Sequence, residues 1–234
     1  MKVIILAGGL GTRISEETYD KPKPMVLINN KPILWHVMSI FAKQGFRDFL
    51  VATGYKSEII EKWVKSINDP WTIEVINTGL DTQTGGRILE CMRTIPNESA
   101  CVTYGDGLGN INIKALIDYH YKYMKLATVT AVRPPARFGV LQSQNGIVTQ
   151  FGEKLQAQSG WINGGFFVLE PKVKDFIFNI LEPFELGAIP RLVSQKQLAA
   201  YHHEGFWYPM DTMREKKELE EIGLMDIPSW LSGI

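Results

Sequence analysis

The sequence predicts an α/β fold in which a mainly parallel sheet is covered by helices, and two patterns carry this prediction. Apolar runs of strand length alternate with segments that have the length and period of helices. Glycine-containing turns follow most of these runs, as expected at strand ends. We expect strands over residues 2–6, 48–53, 72–77, 100–104 and 127–132. We expect helices over residues 32–44, 57–65, 85–93 and 112–124, with N-caps at Ser57 and Asn112.

The last part of the chain has a different pattern, which begins after Pro134 and Pro135. Shorter strand-like runs lie around Val140, Val148 and Phe166, and we expect helices near residues 171–181 and 212–221. The sequence contains no repeat, low-complexity tract or glycine- and serine-rich linker. We therefore expect residues 1–234 to form a single domain.

Composition excludes several classes of function. The chain has 25 basic and 25 acidic residues among 234, so no net field attracts nucleic acid or an anionic membrane. The apolar run at residues 3–7 is too short for a signal-peptide core or a membrane span. Two cysteines, Cys91 and Cys101, do not indicate a disulfide framework. We expect a cytoplasmic protein that binds neither nucleic acid nor a membrane.

A glycine-rich loop follows the first predicted strand. Residues 8–13 form this loop, and successive bare amides in such a turn create a concave anion site. Arg13 and Lys23 add positive charge beside it. The spacing is not that of a Walker A loop, and Ile14 stands where a dinucleotide fingerprint needs its third glycine. The loop therefore predicts a phosphate site, with an ordinary strand-to-helix turn as the alternative.

Ligands of open parallel sheets bind beyond the carboxyl ends of the strands, and the glycine-containing motifs follow that rule. They come directly after four predicted strands, at residues 8–13, 54–55, 78–86 and 105–107. Asp106 lies between two glycines at one of these ends, a place that suits a Mg²⁺ ligand, although aspartate is also common in turns. Asp211 is a second candidate ligand, and its local alternative is the N-cap of the last predicted helix.

Several motifs carry a resemblance to a known family. The segments Leu6-Ala7-Gly8-Gly9-Leu10-Gly11-Thr12-Arg13, 21–25 and 31–36 resemble the N-terminal signature of nucleoside-diphosphate-sugar pyrophosphorylases, which are nucleotidyltransferases. The later motifs fall in the order seen in the glucose-1-phosphate cytidylyltransferase branch; they cover residues 84–87, 104–107, 137–139, 162–168 and 206–212. The resemblance extends over nearly the whole chain.

The resemblance implies a fold, an activity and partners. The fold would be a Rossmann-like, mainly parallel sheet flanked by helices, with residues 1–133 mainly binding nucleotide and residues 134–234 mainly binding the sugar acceptor. The enzyme would form CDP-glucose and pyrophosphate from CTP and glucose 1-phosphate. Its cofactor would be Mg²⁺, held by Asp106 and Asp211, and we expect a homo-oligomer.

The resemblance also assigns roles to individual residues. Arg13, Lys23 and Asp106 would be catalytic: Arg13 draws off charge on the leaving pyrophosphate, and Lys23 clamps the incoming phosphate. The nucleotide would be bound by Leu6, Ala7, Gly8, Gly9, Leu10, Gly11, Thr12, Arg13, Thr82, Arg87 and Gly105. The sugar phosphate would be bound by Lys23, Gly139, Glu153, Lys154, Asn163 and Gly164.

Each of these readings has a structural alternative. Arg87 could be a surface helix residue, and Gly164 with Gly165 could form a β-bulge. The aromatic residues 206–208 are expected to pack rather than to stack on a base.

The segment 56–71 is shorter than in the cytidylyltransferases, and Leu155 and Ala188 replace residues typical of the branch. Another nucleoside triphosphate, another acceptor such as phosphocholine, or a silent nucleotide-sensing subunit therefore remain alternatives.

Overall fold

The computed structural model describes residues 1–95, 97–135, 140–152 and 160–234, which form a central sheet with helices on both faces. The strands are β1 (Val3–Leu6), β2 (Leu27–Ile28), β3 (Lys31–Pro32), β4 (Asp48–Thr53), β5 (Thr72–Asn77), β6 (Ala100–Tyr104), β7 (Gly107–Gly109), β8 (Ala127–Val132), β9 (Val140–Gln144), β10 (Ile147–Gly152), β11 (Ile162–Leu169), β12 (Leu198–His203) and β13 (Trp207–Pro209). The α-helices are α1 (Ser15–Thr18), α2 (Ile33–Ala42), α3 (Ser57–Val64), α4 (Thr84–Thr94), α5 (Ile113–Tyr123), α6 (Ala188–Ser194) and α7 (Met213–Ile222). Short 3₁₀ turns cover Thr12–Ile14, Lys23–Met25, Pro171–Phe176 and Ser229–Leu231.

The central sheet has the strand order β12-β8-β11-β6-β1-β4-β5. The pairs β12/β8, β6/β1, β1/β4 and β4/β5 are parallel, whereas β11 runs antiparallel to both β6 and β8. The predicted fold, a mainly parallel Rossmann-like sheet flanked by helices, is confirmed. No helix in the described ranges is both long and apolar enough to cross a membrane.

The sheet is buried on both faces, which explains why its central strands read as continuous apolar runs. Along β1, Val3 and Ile5 pack into a core that includes α2, and Ile4 and Leu6 pack into a second core that includes α4. All four side chains are nearly or completely inaccessible to solvent. Because both sides of β1 are fixed in this way, the loop that follows Leu6 starts from a rigid point.

A small ribbon outside the main sheet brings two distant segments together. Strands β7 and β13 pair antiparallel, with Gly107 opposite Pro209. The amide of Met210 then donates to the carbonyl of Asp106 over 2.9 Å. Asp106, which precedes β7, and Asp211, which follows Met210, are therefore neighbours.

The predicted elements agree closely with the structure in the first half of the chain. Four predicted strands have the observed bounds, and β1 begins one residue later than predicted. Asn112 caps α5 as predicted, since its side chain accepts from the amide of Ala115 over 2.9 Å. The N-cap prediction at Ser57 was wrong: Lys56 occupies that position with a left-handed φ of 50°. The Ser57 hydroxyl instead donates to Glu61 within the helix.

The second half differs more from the prediction. Only Pro171–Phe176 of the helix expected near residues 171–181 is helical, and it is a 3₁₀ turn. Helix α6 and strand β12 were not predicted. The last helix, α7, begins after Thr212, whose side chain forms a reciprocal capping box with Glu215.

Candidate active site

A cleft of about 410 Å³ opens at the carboxyl edge of β1 and β6. Residues of three glycine-containing motifs line it together with Lys23. The lining residues are Leu6, Ala7, Gly8, Gly9, Leu10, Gly11, Thr12, Arg13, Lys23, Pro24, Leu80, Thr82, Gln83, Thr84, Arg87, Tyr104, Gly105 and Asp106. The structure thus brings together every nucleotide-binding candidate named from the sequence and all three catalytic candidates, Arg13, Lys23 and Asp106.

Glycines shape the loop after β1 because neighbouring groups come too close for a side chain. Gly11 has a left-handed φ of 67°, and a Cβ there would lie 2.8 Å from Cγ2 of Thr18. Gly105 donates its amide proton to the carbonyl of Leu6 over 3.0 Å, and a Cβ would lie 3.0 Å from that same oxygen. Glycine is therefore required at these positions by the close packing of the segments that border the cleft.

Arg87 ties together three loops that end at the cleft. Its guanidinium donates to the carbonyl oxygens of Thr53 at 2.7 Å, of Gly79 at 3.0 Å and of Gly8 at 3.0 Å. The residue is only 4% exposed, so the surface-helix alternative was wrong. Burial lowers the pKa of the Arg87 guanidinium, which nonetheless carries its charge at neutral pH. These bonds hold the loops after β1, β4 and β5 in a fixed relation.

Lys23 is the centre of a charged cluster. Its Nζ atom donates to Oδ2 of Asp106 at 2.7 Å and to Oδ1 of Asp211 at 2.6 Å. Arg13 donates from Nη1 to the other oxygen of Asp211, also at 2.6 Å. The structure therefore brings together all the catalytic and metal candidates named from the sequence, in a cluster of two cations and two carboxylates.

The cluster holds Lys23 in its charged form. Burial alone would lower the pKa of this ammonium, but the charges and hydrogen bonds of Asp106 and Asp211 outweigh it and raise the pKa above its usual value. A raised lysine pKa contributes stability that is complete below the unfolded value and is lost only as the pH rises through the folded one. Lys23 is therefore a full cation at every pH near neutrality.

The donor set fits a divalent metal ion with few protein ligands. One oxygen from each of Asp106 and Asp211 lies within hydrogen-bonding distance of the same nitrogen, so both face one position. Within the described residues, no group of three or more His, Cys, Asp or Glu side chains could hold a metal ion. Two carboxylates suit Mg²⁺, which takes its other ligands from water and phosphate oxygens.

The backbone around Asp211 explains why its side chain reaches Lys23. Thr212, not Asp211, caps α7, so the N-cap alternative for Asp211 was wrong. The carboxylate of Glu215 accepts from the amides of Asp211 at 2.7 Å and Thr212 at 2.9 Å. These bonds hold the turn and leave the Asp211 carboxylate to Lys23 and Arg13.

Three of the six sugar-binding candidates lie in the described part of the chain, and one of them, Lys23, belongs to the charged cluster. Asn163 and Gly164 are in β11, where Nδ2 of Asn163 donates to the hydroxyl of Tyr104 at 3.1 Å, beside the cleft. The register of β11 against β8 shifts between Asn163 and Phe167, which agrees with the bulge given as the structural alternative for Gly164 and Gly165. Three further candidates from the sequence lie outside the described residues: Gly139, Glu153 and Lys154.

The aromatic residues of the segment 206–208 pack as predicted. Phe206, Trp207 and Tyr208 are partly buried against the core that contains α2. The indole Nε1 of Trp207 donates to the carbonyl of Gly164 at 2.8 Å. The segment thus connects β11 to the strand that leads to Asp211.

Several residues at the cleft were not named as site residues from the sequence: Pro24, Leu80, Gln83, Thr84 and Tyr104 line it, and Glu185 contacts two of them. Glu185 accepts hydrogen bonds from the hydroxyls of Tyr104 and Thr84, both of which line the cleft. No motif marks Glu185, because it lies in the irregular segment between Phe176 and α6. The segment has two acidic residues, Glu182 and Glu185, among mainly apolar ones, and this pattern does not distinguish between them.

At one edge of an open α/β sheet, the structure brings together the glycine-rich loop of residues 8–13, two cations and two carboxylates. This is the architecture of a nucleotidyl-transferring enzyme. The description "Nucleotidyl transferase" belongs to the family profile that matches residues 2–214. The chain belongs to this family, and it is an enzyme of that class.

Comparison with individual proteins shows which members of the family the chain resembles. The chain is 42% identical to a glucose-1-phosphate cytidylyltransferase from Salmonella typhi, over 95% of this chain and 95% of the relative. It is 30% identical to mannose-1-phosphate guanyltransferase 2 from Candida glabrata, over 96% of this chain and 64% of the relative. Among solved structures, HddC from Yersinia pseudotuberculosis complexed with GMP-PN is 26% identical, with a TM-score of 0.72, covering 94% of this chain and 98% of that one.

Proposed function

We propose that this enzyme forms CDP-glucose and pyrophosphate from CTP and glucose 1-phosphate. One observation carries the proposal: Lys23 joins Asp106 and Asp211 beside the loop formed by residues 8–13. The choice of substrates is supported by the 42% identity to a glucose-1-phosphate cytidylyltransferase over nearly the full length of both chains. The identity to mannose-1-phosphate guanyltransferase 2 is lower, at 30%, so the comparison favours the substrates of a glucose-1-phosphate cytidylyltransferase.

The reaction needs no side-chain nucleophile. An oxygen of the sugar phosphate attacks the α-phosphorus of CTP, and the bond from that phosphorus to the β-phosphate oxygen breaks, which releases pyrophosphate. The phosphate is already ionised at neutral pH, so the protein positions the two substrates and stabilises the added negative charge. Backbone amides of residues 8–13 would hold the triphosphate.

The two cations, Arg13 and Lys23, would each bind a different phosphate group. Arg13 has a side chain that is 70% exposed and reaches over the cleft, where it would bind the departing pyrophosphate. Lys23 is buried beneath it, where it would bind the incoming sugar phosphate. Both start in contact with Asp211, so substrate binding exchanges one set of anionic partners for another.

Asp106 and Asp211 are the residues that would hold Mg²⁺. When bound there, the ion would neutralise phosphate oxygens of the triphosphate and favour attack at phosphorus. The Lys23 ammonium lies between the two carboxylates, from which it would turn to the phosphate of the sugar substrate. The protein residues fit that exchange because the lysine is long and flexible.

The two parts of the chain would have different tasks. Residues 1–133 carry the loop and Arg87 and would bind mainly the nucleotide, with Thr82 and Gly105 in the cleft wall. Residues 134–234 would bind mainly the acceptor, through Asn163 and Gly164 and through the family positions Gly139, Glu153 and Lys154. We propose further that the enzyme is a homo-oligomer.

Pyrophosphate release by the purified protein tests the proposal. Mg²⁺ and glucose 1-phosphate are supplied with CTP, UTP, dTTP, GTP or ATP in separate reactions. We expect release with CTP. Release only with another triphosphate would keep the reaction type and overturn the base specificity. No release with any of the five would contradict the proposed substrates and favour a different acceptor or a nucleotide-sensing role.

A further inference from the structure

A chain of hydrogen bonds runs from Glu185 to the exposed side chain of Asn163. The hydroxyl of Tyr104 donates to Oε1 of Glu185, and Oγ1 of Thr84 donates to Oε2 at 2.7 Å. Nδ2 of Asn163 donates to the Tyr104 oxygen at 3.1 Å. The amide of Gly165 donates to Oδ1 of Asn163 at 2.9 Å. The network connects the segment before α6 with β6 and β11.

The direction of each bond in this network is determined by its two ends. The Gly165 amide can only donate, so it fixes the oxygen of the Asn163 side chain toward itself. The Asn163 amino group therefore faces Tyr104, whose oxygen must accept. The Tyr104 proton is then directed to Glu185, which as a carboxylate can only accept. Removing the acceptor at Glu185 would leave the Tyr104 proton without its acceptor, so the Tyr104 oxygen would no longer be held as the acceptor of the Asn163 amino group.

The position of the network relates it to the acceptor. Tyr104 lines the cleft immediately before Gly105 and Asp106, and its ring packs so close to Gly165 that a Cβ there would lie 2.4 Å from Cδ2. Burial and the neighbouring carboxylate of Glu185 raise the pKa of the Tyr104 hydroxyl, which keeps its proton. The second N–H of the exposed Asn163 amide has no partner among the described residues.

We propose that Glu185 is a positioning residue for the sugar acceptor: it fixes the Tyr104 proton and thereby presents the Asn163 amide N–H to a ring hydroxyl of a hexose 1-phosphate. This inference rests on the proposed function. A site that donates a directed hydrogen bond discriminates against a sugar whose hydroxyl is absent or points elsewhere, because the polar group of the site is then left without a partner. Glu185 therefore sets acceptor stereochemistry without touching the nucleotide.

A merely structural role for Glu185 predicts a different result. The segment is also attached to α4 through Thr84, whose Oγ1 accepts from the amide of Phe184 at 2.8 Å. Loss of that attachment would disturb the nucleotide side and the sugar side together. Loss of the directed bond to Tyr104 would disturb the sugar side alone.

The test uses two variants and a matched control. Glu185→Gln keeps the size of the side chain but replaces one acceptor oxygen by a donor group, and Tyr104→Phe keeps the packed ring and removes the hydroxyl. Glu182→Gln is the control, since Glu182 lies in the same segment and pairs instead with Arg191 at 2.8 Å. KM and kcat are measured for glucose 1-phosphate and for CTP, and kcat/KM is compared among glucose, galactose and mannose 1-phosphates.

We expect both variants to raise KM for glucose 1-phosphate by about tenfold or more and to reduce discrimination among the three sugars. KM for CTP should stay within about twofold of wild type, as should all constants of Glu182→Gln. Wild-type constants in both variants, or equal rises in both KM values, would overturn the inference while the wild-type turnover still supports the proposed function. A wild type that converts no hexose 1-phosphate would overturn both.

Discussion

The ammonium nitrogen of Lys23 lies 2.6 Å from Oδ1 of Asp211, although 188 positions separate the two residues in the sequence. The same nitrogen contacts Asp106. Only Gly105 separates Asp106 from the end of β6 in the main sheet. The Lys23 ammonium is thus held between the two carboxylates that would bind Mg²⁺ under the proposed function.

Replacing Lys23 by methionine should separate its catalytic and structural effects. Turnover should fall by about 10²–10³, the usual loss when a donor to a developing charge is removed. Without divalent ions, the free energy of unfolding should fall by about 1–3 kcal/mol, because two carboxylates lose a charged partner. Mg²⁺ should recover part of that stability. Denaturant unfolding with chelator and with Mg²⁺ measures this effect.

Lys21→Met is the control for that variant. Lys21 lies in the same short segment, and its ion pair in the described part of the chain is with Glu17 at 3.5 Å, away from the charged cluster. Its turnover and stability should remain near wild type. A Lys23→Met enzyme with wild-type turnover would remove Lys23 from the mechanism, whatever its stability.

Asp106→Asn should weaken the response of the enzyme to Mg²⁺. A neutral amide is a poorer ligand for this hard cation than a carboxylate, so the Mg²⁺ concentration that gives half-maximal activity should rise at least about tenfold. Asp20→Asn, at an exposed position outside the cleft, is the control. An unchanged Mg²⁺ titration of Asp106→Asn would exclude this carboxylate from metal binding.

Two neighbouring glycines of the loop should differ sharply in their tolerance of alanine. A Cβ at Gly8 would lie 2.2 Å from Cζ of Arg87, whereas a Cβ at Gly9 meets nothing within 4 Å. Gly8→Ala should therefore lower the free energy of unfolding by about 1–3 kcal/mol, because it displaces the guanidinium that joins three loops. Gly9→Ala should change it by less than about 0.5 kcal/mol. Equal stabilities, measured by denaturant unfolding, would contradict the role of Arg87.

The two buried thiols should make unfolding sensitive to alkaline pH. Burial raises the pKa of both Cys91 and Cys101 to about 12, from an ordinary value of 9.0. The folded state therefore keeps protons that the unfolded state loses above pH 9, so stability is complete below that pH and falls as the pH rises further. Each thiol adds up to about 1.4 kcal/mol of loss per pH unit.

Comparison with Cys101→Ala isolates this effect from other alkaline titrations. The difference in unfolding free energy between wild type and variant should be constant from pH 7 to pH 8.5 and should shrink between pH 9 and pH 10.5. A difference that stays constant over the whole range would show that the Cys101 thiol does not titrate as its burial requires.

The parts of the fold that could be predicted from the sequence are those governed by local pattern. Strands buried on both faces, such as β1, leave continuous apolar runs. The glycines after them mark loop positions where a Cβ would collide, as at Gly8 and Gly105. The sequence also placed Lys23 beside the glycine-rich loop of residues 8–13, because the two segments are close in the chain.

The remaining features depend on contacts that leave no local pattern. Asp106 meets Asp211 through the β7/β13 ribbon, and a three-residue strand of Gly107-Leu108-Gly109 has no strand signature. Lys56 caps α3 through a left-handed backbone, which a sequence with a serine next to it does not suggest. Glu185 accepts hydrogen bonds from two hydroxyls that are distant in the sequence, those of Thr84 in α4 and Tyr104 in β6.

Formation of CDP-glucose by wild type and by Asp211→Asn tests the central claim most directly. Both proteins are incubated with CTP, glucose 1-phosphate and Mg²⁺, the product is separated and quantified, and thermal unfolding confirms that the variant is folded. We predict that wild type forms CDP-glucose and that Asp211→Asn forms it at least about 10²-fold more slowly, since both a metal ligand and the partner of Lys23 are impaired. A folded Asp211→Asn protein that forms CDP-glucose at the wild-type rate would contradict the assignment of this cluster as the reaction centre.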